Sequence, residues 1–207
     1  EQSDRIGGCC PTFEQDGFHF DVGASIVEAI STMEKVFARL GTTLQDEVDL
    51  LPCDPIYSCL FRDGSKITYW KDLHKTANEI GKFSMEDKAG FYRFAEKFAS
   101  FIAEGGDDFF TTPVNTMDEM VALMEKRPII PEFIPFFVRS YQDVLRDYFK
   151  NEKILDSMAY QSLYASHPPD LCAGIFAILP YLEHLGVFYP HGGMIQIPLA
   201  LQRVGEK

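Results

Sequence analysis

The sequence predicts an α/β protein, in the sense of an α+β mixture of helices and short strands. Three observations carry that reading. Helix-opening caps precede apolar residues at helical spacing, an Asp63-Gly64 pair sits between two β-prone runs, and a strand–Gly-Gly–helix pattern returns at Gly186–Met194. The length, 207 residues, suits one large domain or pieces of two.

Residues 7–17 read as loop, with Gly7, Gly8, Pro11, Asp16 and Gly17. Phe18–Val22 reads as a short strand. Ser25 with Glu28 three residues later is a capping-box signature, predicting a helix that carries Ile26, Ile30, Met33, Phe37 and Leu40 and closes at Gly41. Leu50–Pro55 is a turn-rich link. Ile56–Arg62 and Ser65–Trp70 flank Asp63-Gly64, which predicts a β-hairpin. Ser84 and Asp87 open a second helix with an aromatic stripe of Phe91, Phe94, Phe98 and Phe101, stopped at Gly105-Gly106. Such a stripe is a core-facing surface or the wall of an apolar ligand site, and core is the commoner use. Thr116 and Glu119 open a third helix that runs up to Arg127-Pro128.

Ile129–Val138 is apolar, punctuated by Pro131 and Pro135 behind Pro128, and edged by Lys126, Arg127 and Arg139. Prolines this dense predict no regular helix there. The stretch is a buried connection between helices, a monotopic contact with a bilayer surface, or the mouth of an apolar channel. From Phe136 the pattern turns helical to about Lys150, then over Glu152–Ala165. After a His167-Pro-Pro-Asp170 break, Asp170 caps a helix to about His184. Gly186–Met194 reads as a strand and tight turn, and a last helix starts at Ile195.

Net charge is −12, with no Lys/Arg-rich run, which argues against a nucleic-acid partner. The five cysteines (9, 10, 53, 59 and 172) form no C-x-x-C pair, so neither a disulfide framework nor a metal site is expected. They read as reduced, intracellular thiols, and Cys9-Cys10 has no neighbouring base that would make it a redox pair. The longest apolar run, Ala173–Leu182, is short and broken by Gly174 and Pro180, so no membrane-spanning helix is predicted. The chain starts without Met and is expected to be a fragment of a longer protein.

The chemistry concentrates near the N-terminus. Glu1, placed at a strand end, has a carboxylate suited to the ribose hydroxyls of an adenosine cofactor. Gly7-Gly8 lets backbone N–H groups approach a pyrophosphate. Asp21 and Gly23 end the first strand. Each is weak alone; their order and spacing are specific.

That order, Glu1-x-x-x-x-x-Gly7-Gly8 followed by Asp16-Gly-Phe-His-Phe-Asp-Val-Gly23, resembles the CrtI-type phytoene desaturases of the amine-oxidase-like flavoprotein superfamily, in their fungal form. The hairpin at Pro55–Gly64, Tyr160-Gln-Ser-Leu-Tyr164 and Gly186-Val-Phe-Tyr-Pro-His-Gly-Gly-Met194 extend the resemblance over essentially the whole chain. Cys9 departs from it, since many relatives carry an arginine after the Gly-Gly pair; Arg5 is a candidate to compensate. His191 falls at a variable position and is expected to be peripheral.

The resemblance implies an incomplete Rossmann-like FAD-binding domain in residues 1–50, a largely helical substrate- and membrane-binding part with the β-hairpin in 51–185, and a return to the FAD and substrate interface in 186–207. It implies FAD held by Glu1, Gly7, Gly8, Asp21, Gly23, Gly192, Gly193 and Met194. It also implies an oxidoreductase that desaturates phytoene by passing a hydride from an allylic C–H to the flavin. The expected setting is intracellular and peripheral to a membrane, touched through Ile129–Val138. No catalytic residue is assigned; His167, Glu132 and Asp21 are candidate bases, each more often structural. Carotenoid isomerases and retinol-saturase-like flavoproteins are the close alternatives, and a non-enzymatic helical interaction domain is the distant one.

Overall fold

The structure, a computed structural model, describes residues 6–105 and 108–206. In chain order the strands and helices are β1 (Thr12–Gln15), β2 (Phe18–Asp21), α1 (Ile30–Arg39), α2 (Leu44–Glu47), β3 (Leu50–Pro52), β4 (Tyr57–Leu60), β5 (Lys66–Tyr69), α3 (Leu73–Gly81), α4 (Met85–Ala103), α5 (Asp108–Thr111), α6 (Met117–Lys126), α7 (Ile129–Val138), α8 (Tyr141–Arg146), α9 (Glu152–Ala159), α10 (Leu179–Leu185), β6 (Phe188–Pro190) and α11 (Gln196–Gly205). Two compact units result. One holds the described residues up to Ile56 together with those from Leu185 onward; the other is Tyr57–His184. Among the described residues every strand pairing is antiparallel: β1 with β2, β3 with β6, and β4 with β5.

In the first unit two segments far apart in sequence pair through β3–β6, where Leu50 lies opposite Pro190 and Pro52 opposite Phe188. Val27 forms a further bridge to Phe188. A small core of Phe37, Leu44, Val48 and Ala200 fastens α1, α2 and α11 together. The expected capping box fails here. Ser25 and Glu28 precede the helix, which starts only at Ile30 behind Ala29 in the left-handed region (φ 49°). The bridge at Val27 holds this segment extended, and strand pairing overrides the local cap signal. Gly41 does close α1, at φ 81°.

The second unit is helical around a large aromatic core. Ser84 caps α4 by accepting from Asp87 N–H at 3.0 Å. The α4 stripe, Phe91, Phe94, Phe98 and Phe101, is buried among Phe133, Phe136 and Phe149, which decides for core over ligand wall. Asp87 is buried too, and its carboxylate accepts from the backbone N–H groups of Lys150 (2.9 Å) and Asn151 (2.8 Å). One turn on, Gly90 admits the Tyr148 carbonyl so closely that a Cβ would stand 1.9 Å from it. The Asp63-Gly64 hairpin forms with Tyr57 opposite Tyr69, and Thr116 with Glu119 makes a complete capping box for α6.

Ile129–Val138 is a helix, contrary to the proline argument. Pro128 occupies the N-cap and Pro131 the first turn, where N–H groups have no helical partner to lose. Only Pro135 removes an interior bond. Burial of Ile129, Ile130, Phe133 and Phe136, the two phenylalanines against Phe98 of α4, offsets that loss. The helix expected from Phe136 to Lys150 is broken at Arg139-Ser140, and α8 restarts with Ser140 accepting from Asp143 N–H at 3.1 Å. Residues 160–165 tighten to a 3-10 helix instead of extending α9. Asp170 caps no helix; a 3-10 turn, Gly174–Ile178, precedes α10.

Candidate cofactor-facing site

Everything in this site belongs to the first unit. Gly7–Cys10 is a tight turn closed by Cys10 N–H donating to Gly7 C=O at 2.7 Å. Gly7 (φ 130°) and Gly8 (φ 50°) take backbone conformations that L side chains rarely adopt, and the flank of Gly8 is open. The chain then enters the β1–β2 hairpin through Asp16-Gly17, both at positive φ (52° and 78°), as a two-residue mirror-image turn requires. Alternation puts Thr12, Glu14, His19 and Asp21 on one face and the exposed Phe13, Phe18 and Phe20 on the other. Beyond β2, Ala24 N–H donates to Cys9 C=O at 3.2 Å, and a Cβ on Gly23 would lie 2.3 Å from that carbonyl. Only glycine lets this segment lie on the Gly7–Cys10 turn.

The other half comes from far along the chain. β6 delivers Tyr189, and Gly192 and Gly193 (φ 89° and 94°) turn the backbone into α11. Asp21 joins the halves. Its carboxylate accepts from Thr12 Oγ1 (2.9 Å), Tyr189 Oη (2.6 Å) and the Met194 N–H (3.2 Å). A Cβ on Gly193 would stand 3.0 Å from Asp21 Oδ1, and one on Gly7 2.8 Å from Ile195 Cδ1, so both glycines serve close approach. Burial pushes the Asp21 carboxyl up, but the bonds from Tyr189, Met194 and Thr12 outweigh it and hold it below the ordinary value. The same bond to Asp21 raises the Tyr189 phenol. Burial raises the Cys10 thiol, with Cys9 and Asp21 adding to it, so Cys10 is held as a thiol.

A concavity of about 340 Å³ opens here, lined by Thr12, His19, Asp21, Tyr189, Gly192 and Gly193. Of the residues expected to hold a cofactor, Gly7, Asp21, Gly23, Gly193 and Met194 are tied into this assembly. Gly192 lines the concavity, and Gly8 offers open backbone on the adjoining turn. Glu1 and Arg5 lie outside the described residues. His19 is not among the residues the sequence points to, although its place two residues before Asp21 on a strand puts both side chains on one face.

The other candidate bases are surface groups of the second unit. Glu132 is exposed and paired with Lys97 at 2.9 Å, and His167 is exposed. His191 is exposed, as a peripheral residue would be. The second unit has its own concavity of about 220 Å³, lined by Ile175, Phe176, Ile178, Leu179 and Leu182. That lining is wholly apolar.

Glycine-built turns that expose backbone beside a hollow carrying Thr12, His19, Asp21 and Tyr189 suit a nucleotide-like cofactor. The chain belongs to the flavin-containing amine oxidoreductase family, whose model matches residues 1–204. Among curated relatives, a zeta-carotene-forming phytoene desaturase of Myxococcus xanthus is 28% identical over the whole of this chain and 40% of its own length. A phytoene desaturase of Cercospora nicotianae is 28% identical over the whole chain and 33% of its own length. A lycopene-forming phytoene desaturase of Pantoea ananas is 26% identical over 93% of the chain and 38% of its own length. The chain thus spans two fifths or less of the length of these relatives.

Proposed function

We propose that this chain is part of an FAD-dependent desaturase acting on phytoene, with the first unit belonging to a Rossmann-like FAD-binding domain and the second holding the substrate. The observation that supports this most is the convergence of Gly7, Asp21, Gly23 and Gly193 on one surface, in a chain whose whole length is similar to desaturases. The residues present fit a flavin cofactor: the Gly8 flank is open where backbone N–H groups would meet a diphosphate, and Gly192 and Gly193 line the adjoining concavity. A bound flavin supplies the hydride-accepting chemistry. The chain's part is placement. Asp21 fixes the Gly192-Gly193 turn against the hairpin, and the apolar hollow at Ile175–Leu182 suits a hydrocarbon that offers no hydrogen-bonding handle.

The test uses the chain extended to the length of its relatives. Purified protein should show flavin absorbance and, given phytoene in liposomes, form products absorbing in the visible. A colourless protein that rejects added FAD would overturn the reading.

A bilayer-dwelling substrate calls for membrane contact, and α7 is our candidate for it. Its outer face presents Ile134, Phe137 and Val138, the last 82% exposed, between Lys126 and Arg139. No described helix is long and apolar enough to cross a membrane. Ile134→Asp with Val138→Asp should lower vesicle binding by about tenfold or more, given roughly 1.5–3 kcal/mol for burying each apolar side chain. Unchanged flotation with vesicles would move the contact elsewhere.

A further inference from the structure

The core of the second unit contains an acid among phenols. Glu183 is 1% exposed, and its carboxylate accepts from Tyr160 Oη at 2.9 Å and Gln161 Nε2 at 3.0 Å. The Tyr160 ring stands edge-on to Tyr57 with centroids 4.7 Å apart, and Tyr57 stacks on the fully buried Tyr69 at 4.5 Å. Outward, the Tyr160 ring meets Tyr164 edge-on at 6.1 Å, with the two hydroxyl oxygens 3.5 Å apart, and Tyr164 is exposed. Four phenol rings therefore run in contact from core to surface, and the third hands its proton to a carboxylate.

We propose that Tyr160 and Glu183 form a redox-active tyrosine–carboxylate pair, with Tyr164 as its surface contact, that takes up one-electron oxidising equivalents. A phenol loses an electron readily only if its proton leaves at the same time. Burial, and then the Glu183 charge, push the Tyr160 phenol far above its ordinary value, so it does not ionise beforehand and needs an acceptor in place. Glu183 Oε1 is that acceptor. The oxidant class is an oxygen-centred radical, such as the peroxyl radical of an autoxidising polyene.

The steps balance. The peroxyl takes a hydrogen atom from Tyr164 Oη, giving hydroperoxide and a Tyr164 phenoxyl. Tyr160 passes one electron to that phenoxyl and its proton to Glu183, and the Tyr164 phenolate takes a proton from water. A soluble thiol then returns one electron to the Tyr160 phenoxyl by way of Tyr164 and becomes a thiyl radical, two of which combine to a disulfide. The proton comes back from Glu183, and the thiol's own proton goes to water.

The probe is a photoexcited ruthenium tris-bipyridyl complex with persulfate, applied to the whole chain, with the tyrosyl signal followed by electron paramagnetic resonance and trapped for mass spectrometry. The wild type should give a long-lived radical trapped at Tyr160 or Tyr164. Tyr160→Phe, which leaves the Gln161 bond to Glu183 intact, should abolish the long-lived signal and leave only a short-lived radical at Tyr164. Glu183→Gln should slow radical formation by about tenfold, the scale set by losing a charge-assisted hydrogen bond. Tyr164→Phe keeps the Tyr160–Glu183 hydrogen bond and should slow formation while keeping the Tyr160 signal. Circular dichroism separates these outcomes from unfolding. A long-lived signal that survives in folded Tyr160→Phe but vanishes in Tyr92→Phe would overturn the proposal in favour of the surface Tyr92–His74 pair (2.9 Å).

Discussion

Asp21→Ala is expected to destabilise the first unit by about 3 kcal/mol. The carboxylate is the shared acceptor for Thr12 of β1, Tyr189 of β6 and the Met194 N–H. A hydrogen bond to a charged group contributes roughly 1.5–3 kcal/mol. Asp21 is only partly buried, so three such bonds are discounted to about half their nominal sum. Alanine would also leave the Met194 N–H facing the space the carboxylate filled, and would free Gly192-Gly193 from the hairpin. Urea unfolding followed through the tyrosine signal checks the loss. Acid provides an independent readout. The folded Asp21 carboxyl is held below the ordinary 3.8, so its stabilisation is present above that pH and is lost as pH falls through the folded value. The gap between wild type and variant should therefore narrow in acid. Equal midpoints at neutral pH would show that the carboxylate is not holding the two halves together.

Local signals were legible where local chemistry decides. Asp63-Gly64 predicts a hairpin and forms one. Asp16-Gly17 carries the same signal between Thr12–Gln15 and Phe18–Asp21, yet the glycines and proline around it read as loop and hid β1. The caps at Ser84 and Thr116 held because each precedes a helix with its own buried face. The Ser25–Glu28 signature had the same form and failed, because Val27 is committed to Phe188, far away in sequence. The proline count misled at Ile129–Val138 because two of the three prolines occupy helix-start positions. In the site, the sequence named Asp21 and Gly193 separately. It held no sign that one carboxylate would bind both Tyr189 and Met194, which lie 168 and 173 residues away.

The failed cap leads to the second large effect. Glu28 stands between buried Val27 and left-handed Ala29, so its side chain turns inward instead of back to a helix N-terminus. Its Oε1 is buried with no hydrogen-bond partner, and burial pushes the carboxyl from 4.5 up to about 7. The sign follows from proton counting. Between pH 4.5 and about 7 the unfolded chain has already released this proton while the folded chain retains it, so stability falls as pH rises through that window and levels off above it. At about 1.4 kcal/mol per pKa unit, the full shift is about 3.5 kcal/mol, and the open part of the side chain reduces this to about 2 kcal/mol. Glu28→Gln keeps the shape and removes the titration. Its stability should stay level across the window, and it should exceed the wild type above neutral pH by about 2 kcal/mol. Below pH 4.5, where both folded and unfolded wild type are protonated, the two proteins should converge. Urea midpoints measured at several pH values decide it. A wild type with level stability through the window would mean that water reaches the Glu28 carboxyl, and parallel slopes in the two proteins would assign the pH dependence to another group.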